Sequence, residues 1–219
     1  PWVTLKSAGS LDGRTALASG ASRWVTGEAA RADVQRLRAR ASAIVTGIGT
    51  VLADDPELTV RDPGLAMRGR APLRVVLDSR LRTPVDARLA TGAATAPTLI
   101  FTSDAALAAR GAELAARGVG LEALPQAGSG LELAGALARL AALECNEVLV
   151  EAGPQLAGAF LGAGLVDEWV LYVASKVMGD GARPLLHLAS PERMSEAREF
   201  VWREVRSVGA DLRLTLRPK

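Results

Sequence analysis

The chain has a single cysteine, Cys145, and a single histidine, His187, among its 219 residues. One thiol builds no disulfide framework, and one of each builds no Cys/His zinc cluster. Lysine is scarce too: of 26 basic residues only Lys6, Lys176 and Lys219 are not arginine. With alanine and glycine so abundant, that imbalance reads as a genome-wide compositional bias and not as a grip on phosphate. No apolar run approaches the ~20 residues of a membrane span, and no basic-then-apolar secretion signal opens the sequence. An excess of one charge is also missing. A balance of 26 basic against 24 acidic residues leaves +2, too weak a field for general attraction to nucleic acid or lipid. The expectation is a soluble cytoplasmic protein. The first residue is Pro1 and a strand-like stretch follows at once, which suggests a piece of something longer.

What is present is enough apolar residue, 49%, to bury a full core. Short apolar runs at 2–8, 43–47, 74–78, 98–102, 119–124 and 147–151 read as strands. Helical patterns near 27–41, 104–117, 131–143 and 155–163 lie between them, an alternation that predicts a largely parallel sheet covered by helices. The end differs. The stretches 168–174, 199–208 and 211–217 have no long helix among them, and Gly209-Ala210 joins the last two. They read as strands, the last pair an antiparallel hairpin on the sheet's edge. One α/β domain over 1–219 is expected, with irregular loops at 54–72 and 179–192.

Four stretches could carry chemistry. In "VEAGPQLAGAF" (150–160) a buried strand ends on Glu151, and Gly153 and Pro154 open a helix. A strand's carboxyl end followed by a helix N-terminus is where α/β sheets bind ligands, and an ordinary strand–turn–helix has the same spacing. Leu156, Ala159, Phe160 and Ala163 are expected to form that helix's apolar face, with Gly158 and Gly162 allowing close packing. In "AIVTGIGTVLADDPELTVR" (43–61), glycines after a strand suit a phosphate or ribose site, or a tight turn into a short helix ended by Asp54, Asp55 and Pro56. The helix at 27–41 can be capped by Thr26 and buries Ala30, Val34, Leu37 and Ala41. Arg38 lies about 40° from Val34 around it, either snorkelling outward or aiming its fork at an anion; Arg61 is a second candidate anion contact. In "TLKSAGSLDGR" (4–14), Lys6 stands inside a strand of an arginine-rich chain, which suggests that a compact ammonium is wanted. Asp12-Gly13 is a turn signal. Cys145 reads as a bystander, and His187 receives no role.

Taken together, "LKSAGSLDGRTALASGASRWVTG", "RADVQRLRARASAIVTGIGTVLADDPELTVR", "RVVLDSRLRTP" and "VLVEAGPQLAGAFLGAGLVDEWVLYVASKVMG" resemble the reductase domain of the riboflavin-biosynthesis bifunctional deaminase–reductase. The resemblance implies a dihydrofolate-reductase-like α/β fold: a mostly parallel central sheet flanked by helices, with a C-terminal antiparallel hairpin. It implies NADPH as cofactor, contacted by Ala8, Trp24, Thr50, Asp54, Ser79 and the run Gly153, Pro154, Gln155, Leu156, Ala157, Gly158, Ala159. It implies a phosphorylated ribosylamino-pyrimidine substrate contacted by Ser22, Arg38, Leu58, Arg61 and Glu151, reduced at ribose C1′ by hydride. Lys6 and Glu151 are the catalytic candidates and no metal site is expected. The family's partner domain is a zinc deaminase with an H-x-E and P-C-x-x-C type signature. One histidine and one cysteine cannot build it, so the chain reads as the reductase half, with a deaminase domain expected upstream. A homodimer or higher homo-oligomer would suit the long edge strand. Two alternatives stand: a reductase of the same fold acting on the 2,5-diamino pyrimidinone, and a non-catalytic NADPH-binding module.

Overall fold

The computed structural model describes residues 1–67, 69–128 and 130–219. Along the chain come β1 (Trp2–Ser10), β2 (Arg14–Ala16), α1 (Glu28–Arg40), β3 (Ala43–Gly47), α2 (Ile48–Asp54), β4 (Leu73–Leu77), α3 (Arg88–Thr91) and β5 (Thr98–Thr102). Then follow α4 (Asp104–Ala115), β6 (Gly120–Ala123), β7 (Gln126–Ala127), β8 (Gly130–Leu131), α5 (Leu133–Ala142) and β9 (Glu147–Glu151). The chain ends with α6 (Pro154–Gly162), β10 (Glu168–Ala174), β11 (Arg183–Pro184), a 3₁₀ turn at Met194–Glu196, β12 (Phe200–Val208) and β13 (Asp211–Pro218). The expected strands and helices are all present. The loop expected at 54–72 carries no element after α2, Arg68 lying outside the described residues, whereas that at 179–192 contains β11, paired antiparallel with β2.

The residues form two compact units, one of Leu37–Leu149 with Pro1, the other of Trp2–Arg36 and Val150–Lys219. In the first, β3, β4, β5 and β6 pair side by side and all in parallel. Strands so placed read as continuous apolar runs because both faces are covered; β5, Thr98–Thr102, is buried at every position. Ile44, Val76 and Ile100 from three neighbouring strands join Val51 of α2, Leu89 and Ala90 of α3 and Leu114 of α4 in one core cluster. In the second unit the order is β12, β13, β10, β1; β1 pairs with β10 in parallel and the other pairings are antiparallel. The terminal hairpin therefore lies at an edge, as its alternating pattern predicts. A buried carboxylate ties it inward: Asp33 of α1 accepts from the Tyr172 hydroxyl (2.7 Å) and from Arg206 and Arg213 (each 3.1 Å). Burial pushes the Asp33 carboxyl up, but the Tyr172 hydroxyl and the two guanidiniums outweigh it and hold it below its ordinary value.

Two local expectations are corrected. The residue before α1 is Gly27 and not Thr26: the Arg31 N–H closes the first turn on the Gly27 carbonyl, and the Gly27 N–H donates to Asp211 (2.7 Å). Helix α6 buries Ala157, Gly158, Phe160 and Leu161, while Ala159 and Ala163 are exposed. A helix apolar all round has no polar face to set its rotation, and here a backbone contact sets it. The His187 N–H donates to the Pro154 carbonyl (3.0 Å), and a Cβ on Gly158 would overlap the His187 carbonyl oxygen and lie 2.7 Å from its carbon.

This contact makes a testable contrast. Gly158→Ala forces the backbone of residue 187 off α6, and overpacking of that kind costs about 2 kcal/mol or more. Gly162→Ala, whose Cβ would meet only Leu188 Cδ2 at 3.4 Å, is expected to be neutral or stabilising by up to about 1 kcal/mol. Urea unfolding of both variants checks the pair; equal stabilities would contradict it.

Candidate functional site

The residues singled out by sequence divide between the units, and each set has its own local frame. In the second unit, Lys6 and Ala8 lie on β1 in register with Val170 and Tyr172 of β10. Val3, Leu5 and Ser7 are buried, whereas Lys6 and Ala8 keep partial exposure, the two faces of a strand alternating. Glu151 closes β9 with only 9% exposure, and its Oε2 is 3.9 Å from Lys6 Nζ. The structure thus brings the two catalytic candidates together as a partly buried ion pair. Beyond Glu151, Gly153 precedes α6 in extended conformation without a side-chain cap, and Pro154 takes the first helical position. The first bond inside the helix runs from the Ala157 N–H to the Gly153 carbonyl (3.0 Å). The N–H groups of Gln155 and Leu156 therefore have no carbonyl within the helix to bond to. Leu156 is half-buried, and Ala157 and Gly158 are buried.

Ser22 starts a turn that the Val25 N–H closes on its carbonyl (3.1 Å). That turn presents Trp24, 62% exposed, with the Arg31 guanidinium 4.3 Å from its ring centroid and its carbonyl receiving Lys176 Nζ (2.7 Å). Asp12 is more than a turn signal. Its carboxylate accepts from the Ser10 hydroxyl (2.5 Å) and from the backbone N–H groups of Met178 (3.0 Å) and Gly179 (2.8 Å). It so binds the β1–β2 turn to the segment after β10. The Ser10 hydroxyl first, and then the two N–H groups, hold its carboxyl down to about 2.

In the first unit, Thr50 and Asp54 lie on α2, which starts directly after β3. The short-helix expectation for this stretch is met, and Asp55 ends the helix in left-handed backbone, φ 41°. Gly49 is exposed and a Cβ there would meet nothing within 4 Å, so packing does not demand a glycine. Ser79 follows β4 in a turn organised by Asp78. The Asp78 carboxylate accepts from the N–H (2.7 Å) and hydroxyl (2.8 Å) of Thr83, and Leu81, buried at φ 48°, closes the turn on the Asp78 carbonyl (3.0 Å). Leu58, φ 50° and 3% exposed, puts its side chain in the core, so its backbone is what a ligand can reach. Arg38 donates to the Thr59 carbonyl (3.0 Å) and Arg61 pairs with Glu57 (3.8 Å). Both anion-binding candidates are thereby attached to one segment, 57–61.

Cys145 is buried, and burial raises its thiol pKa, the opposite of what a reactive cysteine needs. Among the described residues no group of three His, Cys, Asp or Glu side chains is placed to hold a metal ion, and no helix is long and apolar enough to cross a membrane. Sequence reasoning missed the anchoring roles of Asp12 and Asp78. A carboxylate at a strand-to-turn junction was the available signal, but its partners stand 166 and five residues away.

Asp12 gives a pH-dependent expectation. Its carboxyl titrates near 3.8 when unfolded and about 2 when folded, so its stabilising effect is full above the unfolded value and is lost as pH falls through the folded one. Unfolding free energies of the wild type and Asp12→Asn should differ by a constant amount above pH ~5 and converge between pH ~4 and ~2. A gap that persists at the acid end would contradict this.

Comparison with known proteins now adds to the geometry. The model of the RibD C-terminal domain matches residues 1–212. Riboflavin biosynthesis protein RibD of Escherichia coli (strain K12) is 40% identical over 229 residues, covering 99% of this chain and 59% of that protein. Among solved structures, Acinetobacter baumannii RibD (form 2) superposes with TM-score 0.88 at 38% identity, over 100% of this chain and 58% of that one. A Thermotoga maritima protein described as a diaminohydroxyphosphoribosylaminopyrimidine deaminase/5-amino-6-(5-phosphoribosylamino)uracil reductase matches with TM-score 0.82 and 29% identity, over 100% of this chain and 57% of that one. The chain spans under three-fifths of the length of each of these relatives.

Proposed function

The chain belongs to the RibD C-terminal domain family, and on that premise we propose that it reduces 5-amino-6-(5-phosphoribosylamino)uracil to the corresponding ribitylamino compound, with NADPH as reductant. The observation that supports this reading is the match, over the whole of this chain and 57% of the other, to the Thermotoga maritima protein, whose description names that reductase activity beside a deaminase one. The longer relatives support a deaminase domain in the part of the full protein that this chain does not span.

When bound, NADPH supplies the hydride. The residues fit a dinucleotide: the uncapped start of α6 suits its diphosphate, and the exposed Trp24 ring suits a planar heterocycle. Ala8, Thr50, Asp54, Ser79 and the run Gly153–Ala159 are proposed as cofactor contacts, and Ser22, Arg38, Leu58, Arg61 and Glu151 as substrate contacts. Arg38 and Arg61 would grip the 5′-phosphate, for which a guanidinium fork is well shaped. Opening the ribose to the imine breaks the bond from C1′ to the ring oxygen, so that oxygen must gain a proton before C1′ accepts hydride. Lys6 is proposed to deliver that proton, and the Glu151 carboxylate to favour the cationic imine form of the substrate. A homodimer is proposed through β12, where Trp202 (61% exposed) and Val205 lie open on an edge strand. A cytoplasmic location follows from a soluble biosynthetic role.

Loss of absorbance at 340 nm with NADPH and the deaminated substrate, run beside the 2,5-diamino compound, tests the proposal. Turnover of the deaminated compound is expected; turnover of the diamino compound alone would move the chain to the sister reductase, and tight cofactor binding without either would make it a binding module. Arg38→Ala and Arg61→Ala are each expected to raise KM for the phosphorylated substrate about tenfold or more, the scale of a lost charge-assisted hydrogen bond, with NADPH affinity unchanged. Lys6→Ala and Glu151→Gln should slow single-turnover reduction, and wild-type rates in both would remove their assigned roles.

A further inference from the structure

Arg74, the second residue of β4, has no place in the chemistry above and is 2% exposed. Among the described residues its guanidinium donates to no carboxylate. Nη1 donates to the Glu57 carbonyl (3.2 Å), and Nη2 to the carbonyls of Leu89 (3.1 Å) and Ala96 (2.6 Å) and to the Thr98 hydroxyl (2.6 Å). The Thr98 hydroxyl in turn donates to the Leu89 carbonyl (3.0 Å). Taking a charge out of water is expensive, and an apolar side chain of similar volume would often leave a core as stable or more so. A guanidinium bound to backbone carbonyls from three separate stretches is therefore better explained by what it holds in place.

What it holds is a strained segment. Asp55 and Leu58 occupy left-handed backbone without being glycine, a conformation that persists only where the surroundings impose it. The surroundings do so residue by residue. Asp55 accepts from the Arg88 N–H (2.9 Å), the Glu57 carboxylate pairs with Arg88 and Arg61, and the Thr59 carbonyl accepts from Arg38. Arg88 and Arg61 are substantially exposed and Arg38 is half-buried, which leaves Arg74 as the fully buried charge among these anchors.

We infer that Arg74 is a positioning residue for the phosphorylated substrate: by fixing the backbone at Glu57 it sets the segment on which Arg38 and Arg61 depend. The inference rests on the reductase reading. It explains why a long charged side chain occupies a strand position whose neighbours Val75, Val76 and Leu77 are apolar and buried.

The test uses Arg74→Met, Arg74→Lys and Thr98→Val in the whole chain, with melting temperature, NADPH Kd, and KM and kcat for the substrate and its dephosphorylated form. Arg74→Met is expected to raise KM for the phosphorylated substrate about tenfold, the scale of misplacing one charge-assisted contact. NADPH Kd and the KM of the dephosphorylated form should stay at wild-type values. Arg74→Lys, which can reach some of the four acceptors, should recover part of the loss. Thr98→Val, which keeps the guanidinium but removes one acceptor, should shift KM the same way by a smaller factor. Unchanged KM in a folded Arg74→Met overturns the inference, and so does an equal loss of cofactor and both substrates, which would mark a general loosening. If Arg74→Met does not fold, the lysine and valine variants decide by the same criteria. A wild-type chain that turns over no substrate would instead sink the reductase reading itself.

Discussion

Strands that pair in parallel all leave the sheet at the same edge, so a chain that returns through a helix must make every such turn there. In the first unit β3, β4, β5 and β6 obey this, and the turns after β3 and β4 are the ones that carry Thr50 and Ser79. In the second unit the parallel pair β1 and β10 sends the chain through the Asp12 turn and the Met178–Gly179 segment, which one carboxylate then joins. Glu151 ends β9 and meets Lys6 of β1. Within each unit, parallel pairing thus brings the polar ends of apolar strands to one edge.

In each unit the turns at a sheet edge have to be rigid to be useful, because a binding contact displaced by an ångström loses much of its worth. Three side chains supply that rigidity here, and they are all charged. Asp12 holds two turns together, Asp78 folds the turn bearing Ser79 around Thr83, and Arg74 binds the backbone of Glu57. Each satisfies backbone groups that loops would otherwise leave unpaired. Gly158 does the same work by subtraction, since the lack of a Cβ lets residue 187 lie against α6.

Much of this was legible in the sequence, because period and punctuation are local. The runs 43–47, 98–102, 147–151 and 168–174 are strands with those bounds, each an apolar run stopped by a turn residue. Lys6, singled out as a lysine among arginines, lies 3.9 Å from Glu151, and Arg38 and Arg61, singled out as anion contacts, are both attached to residues 57–61. What failed was whatever depends on distant partners. The face of α6 could not be read from a stretch in which nearly every residue is apolar; the backbone of residue 187 decides it. Arg74 carries no local signal, since its acceptors include backbone carbonyls, which every sequence has everywhere.

The central claim is that hydride passes from NADPH to C1′ of the substrate's ribose. It is tested most directly by single-turnover reduction with NADPH carrying deuterium at both C4 positions of the nicotinamide, followed by NMR of the product. The account predicts deuterium on C1′ of the ribitylamino chain and none elsewhere. Product free of deuterium, or label at another carbon, would contradict it.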